Sequence, residues 1–548
     1  MSIRAKLRTT PGSMICGGRR RRVVFTVLLA AVTAAGFCVP VAAAGAADAP
    51  SHTVVVAPNG DDGAAGTASH PVATVAEALH RLPAGGTVLL RAGHYAQRIA
   101  LGSAAHDLTI GAFGHEHAIL DGSGMKPPAG RSAMVMIDGS SRITVSGLDI
   151  TGYDTVGLQA VPIGIYVHGG ASHITLSGDH VHSMGNYNGT LGSFDLNAHG
   201  IAAYGDSPTH PIHDLTITRD EVDHLALGAS ESVVVNGNVD GWRITHNSIH
   251  DNNNIGIDAI GFEPTLTGKY RYTQANRARN GIIADNTVRN IISRGNPAYY
   301  EDGSWCNCAD GLYIDGGSHI RVERNVMSGD DIGIEVAAEN PRGTADHVVV
   351  ADNFVRTSAF TGITTGGYCN GADDCGGVKT GTSHDNTFVN NTLYANNTLD
   401  DGSPQFLIQY YAYRNTVENN IVYATNTDHV ALGTVPGAQH DGLSTRNHVD
   451  HNLYYATGGD PRQASFGSLG QTYTGFAAYR RATGQDAHSR FVAPRLVAPK
   501  SGDLHIRADS PAIDSGVALP ATLVGRLDID RQPRVQGGRI DIGADERR

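Results

Sequence analysis

Ten times between residues 145 and 452 a short apolar segment runs into a polar residue, usually asparagine. The segments are VSGL, LSGD, ITRD, ITHN, IADN, VERN, VADN, FVNN, VENN and VDHN. They close on Leu148, Asp179, Asp220, Asn247, Asn286, Asn325, Asn353, Asn391, Asn420 and Asn452. The spacings are 31, 41, 27, 39, 39, 28, 38, 29 and 32 residues. The shorter ones fit one coil of a parallel β-helix, and the longer ones a coil with an inserted loop. Each coil would turn Val, Ile and Leu inward onto the next. Asparagine bonds its own backbone and tolerates left-handed geometry, so stacked asparagines would form a ladder. A helical solenoid is excluded by the alternation and the absence of 3.6-residue stripes. A β-sandwich would leave the recurring asparagine without a reason.

The 68 glycines suit a chain that turns sharply several times per coil. Such a stack needs caps, and VATVAEALHRLP (72–83) reads as an amphipathic helix covering the first coil. Upstream, Arg19–Arg22 precede the apolar run VVFTVLLAAVTAAGF and the small-residue stretch VAAAGAADAP. That order is a secretory signal peptide, and the run is short for a membrane anchor. The expected organisation is a signal peptide (1–49), a cap and first coil (50–110), the β-helix (111–460) and a C-terminal coil and cap (461–548). The mature chain is expected to be secreted, free of the membrane and monomeric. A formal net charge of −12 and only five lysines argue against a nucleic-acid partner. Cys306, Cys308, Cys369 and Cys375 remain after signal removal, an even set suited to disulfides in an oxidising compartment. A disulfide there would brace two of the loops described below.

The entry segment SHTVVVAPNGDDGAAGTASHPVATVAEAL…GGTVLLRAGHY and the tail SPAIDSG…LDIDRQPRVQGGRIDIGADE resemble secreted proteins of the pectin-lyase-like superfamily. With the repeats, the resemblance spans residues 52–546. It implies an all-β, right-handed parallel β-helix solenoid with an N-terminal capping helix. It leaves the reaction open, because the superfamily includes lyases, hydrolases, epimerases and non-catalytic adhesins.

A second repeat runs beside the first: GIYVH (164–168), GIAAY (200–204), GIDAI (256–260), GLYID (311–315), GIEVA (333–337) and GITTG (362–366). Alternation turns the third and fifth residues outward. Rungs lie about 4.8 Å apart, so Asp258, Asp315 and Glu335 should share one exposed sheet within about two to four rungs. Tyr166, His168, Tyr204 and Tyr313 extend the strip as sugar-stacking or sugar-bonding positions. An acid at an outward position is also what a solvated sheet carries, and three beside tyrosines are what shifts the reading toward a site. Loops over this face add Glu263, Lys269 and Arg271 from residues 261–280, and Asp310 from residues 296–311. Residues 366–381 add Asp373, Asp374 and Lys379.

Three functions fit. Glycoside hydrolysis needs a general acid and a second carboxylate. The stretch 309–336 is similar to polygalacturonases, which places Asp310 at their acid and Asp330 and Asp331 at their Gly-Asp-Asp; their Gly-His-Gly and Arg-Ile-Lys are missing. β-Elimination of a uronate-containing glycan needs a base, with Lys269, Arg271 or Lys379 available. It also needs a cation such as Ca²⁺, for which Asp258, Asp315 and Glu335 form a candidate site. The third function is non-catalytic glycan binding or adhesion. The expected activity is cleavage of a polysaccharide around Asp258, Asp315 and Glu335, with Asp310, Asp331, Glu263 and Lys269 nearby, either without a cofactor or with Ca²⁺.

Overall fold

A computed structural model describes residues 52–301, 303–340, 342–367, 381–436 and 446–547. The expected signal peptide, Cys369, Cys375, Asp373, Asp374 and Lys379 lie outside the described residues. The chain is a right-handed parallel β-helix with three long sheets, each coil giving one strand to each. A coil runs through Ser141–Ser146 in the first sheet, Leu148–Thr151 in the second and Ala160–His168 in the third. It then re-enters the first sheet at Ser172–Ser177. Inward Val, Ile and Leu, such as Val145, Ile150 and Ile165, are fully buried and form one continuous core.

Helix α1 (Val75–His80) forms where the amphipathic pattern predicts it. The Thr74 side chain accepts from the Glu77 amide, and Val75 and Ala78 are buried against the first strands. At the far end Phe466, Phe476 and Tyr479 pack as an aromatic plug, with α2 (Phe476–Thr483) supplying two of the three rings. Beyond it the tail runs back along the solenoid. Leu504, Ile506 and Ile542 cover Phe354, Ile421 and Leu453 of the second sheet. Short helix α3 (Ala521–Val524) lies against the first sheet, with Val524 packed on Ala351 and Val389. Among the described residues no helix is long and apolar enough to cross a membrane.

The first and second sheets are joined by two-residue corners, and these hold the ladder. Its chemistry differs from the expected local bonding. The left-handed residue is the one before the asparagine: His246, Asp285, Arg324 and Asp352 have φ of 62°, 61°, 56° and 58°. The side-chain oxygen instead accepts the backbone amide of the ladder residue one coil earlier. Asn286 accepts from Asn247 at 2.9 Å, Asn325 from Asn286 at 3.1 Å and Asn353 from Asn325 at 2.8 Å. The chain of bonds begins at Leu148, donating to Asp179, and ends at Asn452, donating to Ser489 Oγ. Bonding along the stack adds to bonding within one turn, which persists where Asn353, Asn391 and Asn420 donate to the carbonyl two residues back.

The other two corners carry the insertions. The third sheet is therefore flanked by long loops on both edges, residues 183–198 and 290–309 on one side and 261–278 on the other. Arg277, fully buried, fixes the second of these through Asp346 at 2.8 Å and the carbonyls of Gly316, Gly317 and Thr344.

Candidate active site

The glycine that opens each GIYVH-type segment sits at the corner entering the third sheet, where coils touch backbone to backbone. A Cβ on Gly164 would lie 2.6 Å from the Gly200 carbonyl oxygen, and one on Gly333 2.4 Å from that of Gly362. Successive segments are thereby held in register. Asp258 pairs with Tyr313, and Tyr313 with Glu335, so the two acids stand two rungs apart with a tyrosine between them. Asp315 occupies the neighbouring row beside Ala337. Tyr166, Ala202 and Val234 continue the first row, and His168, Tyr204 and Asn236 the second.

One expectation is overturned. These outward positions are not solvated: Asp258 is 2 % exposed, Asp315 5 % and Glu335 8 %. The flanking insertions close over the strip. Tyr299 edges against Phe194, its hydroxyl accepts from Asn254 at 3.3 Å, and Asn296 ties its loop to the Gly228 and Asn253 carbonyls. Cys306 is paired with Cys308 within this one loop.

The result is a sheltered cleft of seven carboxyl groups, from Glu231, Asp258, Glu263, Asp310, Asp315, Glu335 and Glu339. Burial, then repulsion from Glu231, Asp315 and Asp310, pushes Asp258 well above the carboxylate range. Burial and Glu339 do the same to Asp315. Asp310 and Glu335 are close enough to titrate as a pair. Burial and then the Glu335 charge push Asp310 well above the carboxylate range, and burial raises Glu335 to about 7, so the pair holds a proton near neutral pH. Glu339 is likewise pushed up to about 7, by burial and then by Glu263 and Glu335, and Tyr313 donates to it at 3.4 Å. Asp258 Oδ1 and Asp310 Oδ1 are buried without a hydrogen-bond partner.

At one end of the cleft, His199 lies 3.4 Å from Glu231 Oε2 and 3.4 Å from the Tyr204 hydroxyl. Burial first, and then Arg131, push His199 down to about 3, so it is neutral at neutral pH. Arg131 stacks 3.9 Å over Tyr204, and Tyr166 stacks on His168 at 4.5 Å. His168 stands 3.5 Å from both Asp138 and Asp206.

Asp258, Asp310, Asp315, Glu335, Glu263 and Tyr313 are thus brought together. Asn236 holds Glu263 by a 2.7 Å bond. Three other positions are not in the cleft. The Asp331 carboxylate accepts from Ser293 Oγ at 2.6 Å, the Ser293 amide at 2.8 Å and the Ala309 amide at 3.1 Å, so it anchors the loop that delivers Asp310. Lys269 is exposed in a short 3₁₀ turn and lies over its neighbour Tyr270. Arg271 donates to the Phe262 carbonyl and to Asn340, tying loop to loop. The stem of that loop folds back through Arg277 and Asn276, which carries both side chains away from the acids.

His199, Glu231, Glu339 and Arg131 were not singled out from the sequence. His199 and Asp310 share a signal, since each immediately precedes the glycine of its segment. Glu231 lies in a coil whose strand, VVVNG, lacks that glycine, and Glu339 sits just past the segment's end.

No protein-family model matches the chain. It is 33% identical over 460 residues to the uncharacterized protein YwoF of Bacillus subtilis (strain 168), covering 83% of this chain and 91% of YwoF. Among solved structures it is similar to the GH136 lacto-N-biosidase of Eubacterium ramulus, at a TM-score of 0.46 and 14% identity over 74% of this chain and 67% of that one. It is also similar to pectate lyase Pel9A, with a TM-score of 0.41, 14% identity, and 91% and 98% of the two chains covered. The A-module of the mannuronan C-5 epimerase AlgE4 of Azotobacter vinelandii gives 0.37, 12%, 75% and 91%. Its three long sheets of stacked strands make the architecture a parallel β-helix.

Proposed function

The chain belongs to one family with YwoF of Bacillus subtilis, and for it we propose a secreted enzyme that cleaves glycosidic bonds by carboxyl chemistry in the third-sheet cleft. The observation that carries this is the covered Asp310–Glu335 pair, 3 % and 8 % exposed, two carboxyl groups that hold one proton between them near neutrality. Glycosidic cleavage needs such a division: an acid to protonate the departing oxygen and a carboxylate to activate water or to stabilise the positive sugar ring. Asp310 takes the first role and Glu335 the second, with Asp258 beside them as a further protonated carboxyl group. Tyr313, Tyr204 and Tyr166 lie along the same strip and offer faces and hydroxyls to sugar rings. The remaining acids disfavour an anionic chain, because like charges in a sheltered cleft repel strongly. The substrate class is therefore a neutral or amino-sugar glycan.

A second reading rests on the two unpartnered buried oxygens, Asp258 Oδ1 and Asp310 Oδ1. A hard cation such as Ca²⁺ takes six to eight oxygen ligands. Held among Asp258, Asp315 and Glu335, it would neutralise a uronate and permit elimination. Lys269 is turned away as a base, which is why hydrolysis is preferred.

The test is incubation with a panel of neutral and uronate-containing polysaccharides, with and without chelator, following reducing ends and unsaturated product. Reducing ends from a neutral glycan, unaffected by chelator and absent in Asp310→Asn, support hydrolysis. Unsaturated product lost on chelation replaces it with calcium-dependent elimination. Binding without cleavage makes the protein a glycan-binding solenoid.

A further inference from the structure

The second sheet is covered by the tail at its C-terminal coils, but its N-terminal coils are bare and carry a different cluster. There the outward rows are set by register: Ile119, Asp149, His180 and Glu221 in one, Asp121, Thr151, His182 and Asp223 in the other. His117 immediately precedes the first of these strands. Three consecutive coils so bring three imidazoles onto one carboxylate. His117 Nε2 lies 2.6 Å from Asp149 Oδ2, His182 Nε2 2.9 Å from Asp149 Oδ1, and His180 Nδ1 4.0 Å from Asp149 Oδ2. The carboxylate is nearly buried beneath rings that remain partly open to solvent, so an ion has both a seat and an entry path.

The hydrogen bonds behind these rings set their tautomers. His180 Nε2 lies 2.7 Å from Asp223 Oδ2, a carboxylate acceptor, so the proton of a neutral ring sits on Nε2. Its Nδ1 lone pair then faces the Asp149 carboxylate, an arrangement that repels unless a cation lies between. His182 Nδ1 is met by Ser183 Oγ at 3.1 Å, which leaves Nε2 directed at the same carboxylate. The rings of His180 and His182 stack at 4.1 Å, which holds the two imidazoles side by side over the carboxylate. A carboxylate behind a histidine is also the arrangement that orients metal-bound imidazoles and raises their basicity.

We propose that Asp149, His117, His180 and His182 form a zinc-class metal site that clips three coils together on the face away from the cleft. Three nitrogens and one oxygen suit Zn²⁺ in tetrahedral geometry, with bonds of about 2.0–2.2 Å. Ligand atoms in such a site lie roughly 3.3 Å apart by that geometry, and the distances to Asp149 here bracket that value. The ligand atoms of Asp149, His180 and His182 already lie within 4.8 Å of one another, and His117 would complete the set from the preceding coil. Asp223, itself held by His224, is the group that orients His180. The site owes nothing to the glycan reading, and its ligands stand on a different sheet from Asp310 and Glu335.

The experiment is titration of the metal-stripped mature chain with ZnCl₂ by calorimetry and with CoCl₂ by visible absorption. One saturable step is expected, with the intense cobalt band of a four-coordinate site and a rise in melting temperature that chelator reverses. His117→Ala, whose ring is mostly exposed, should weaken the step, and His182→Ala and Asp149→Asn should abolish it. His347→Ala, in a remote turn, and Asp310→Asn, in the cleft, should leave it intact. Absence of a saturable step overturns the proposal. So does a step that survives His182→Ala in a chain with unchanged circular dichroism, or one that Asp310→Asn removes.

Discussion

Two stacks of buried polar side chains run along this solenoid, and they solve the same problem in opposite ways. In the corner ladder each asparagine accepts from the coil before and donates to carbonyls: Asn353 Nδ2 reaches Val322 O at 3.0 Å, Ala351 O at 3.0 Å and Asn391 Oδ1 at 2.9 Å. From Asn247 to Asn452 every ladder side chain is neutral and partnered, so burial costs little, whereas Asp179 and Asp220 each leave Oδ2 without a partner. In the cleft the stacked groups are acids, their neighbours are acids, and two oxygens have no partner. Burial there raises pKa values instead of being compensated. A stack that stabilises the fold and a stack held at the fold's expense are distinguished by whether each polar atom has a donor.

The largest effect that separates the two should come from Asp310→Asn. It is expected to lower glycan cleavage by roughly 10²–10⁴-fold, the span of general acid catalysis, with melting temperature held or raised. Equal activity in the variant would move the acid elsewhere in the cleft. Next in size, Asn353→Ala should destabilise the chain by on the order of 2–4 kcal/mol, because it orphans buried donors and acceptors on two neighbouring coils. Chemical denaturation measures it. A loss well below that range would mean that water fills the ladder.

The third effect is on pH. The folded-state pKa values of Glu335 and Glu339 are raised to about 7, above their unfolded values, so the fold prefers the protonated groups. Their stabilisation is complete below the unfolded carboxylate range and is lost as pH rises through about 7. Melting temperature in chelator should therefore fall across that window, and Glu335→Gln should flatten the fall by about 1–3 kcal/mol. A flat profile in the parent chain would show that a bound cation or solvent neutralises the cleft.

The smallest effect lies inside the ladder. Asp220 occupies an asparagine position and is raised to about 7 by burial. Asp220→Asn should add about 1 kcal/mol above that pH and nothing well below it, read as a shift in the denaturation midpoint.

The ladder was legible residue by residue, from Asp179 to Asn452, because a solenoid repeats one geometry and the repeat leaves its period in the chain. The cleft was legible only in part. Asp258, Asp315 and Glu335 could be placed on one face by alternation, and Asp310 by resemblance. Lys269 and Arg271 could not be placed, since a loop of that length has no period, and its direction is decided by Arg277 and Asn276 folding its stem back. Asp331 carries the same local signal as a catalytic acid, and only its three donors, from Ser293 and Ala309, reveal an anchor.

What the sequence determined by itself was the solenoid, its capping helix and the face on which the acids stand, because each follows from local periodicity and from groups a few residues apart. What only the tertiary structure decided was that this face is covered. Exposure depends on insertions that meet along the sheet's edge from coils far apart in sequence, such as Gly192 bonding to Pro297 at 2.8 Å. That closure turns a row of surface carboxylates into a cleft where protons are held near neutral pH.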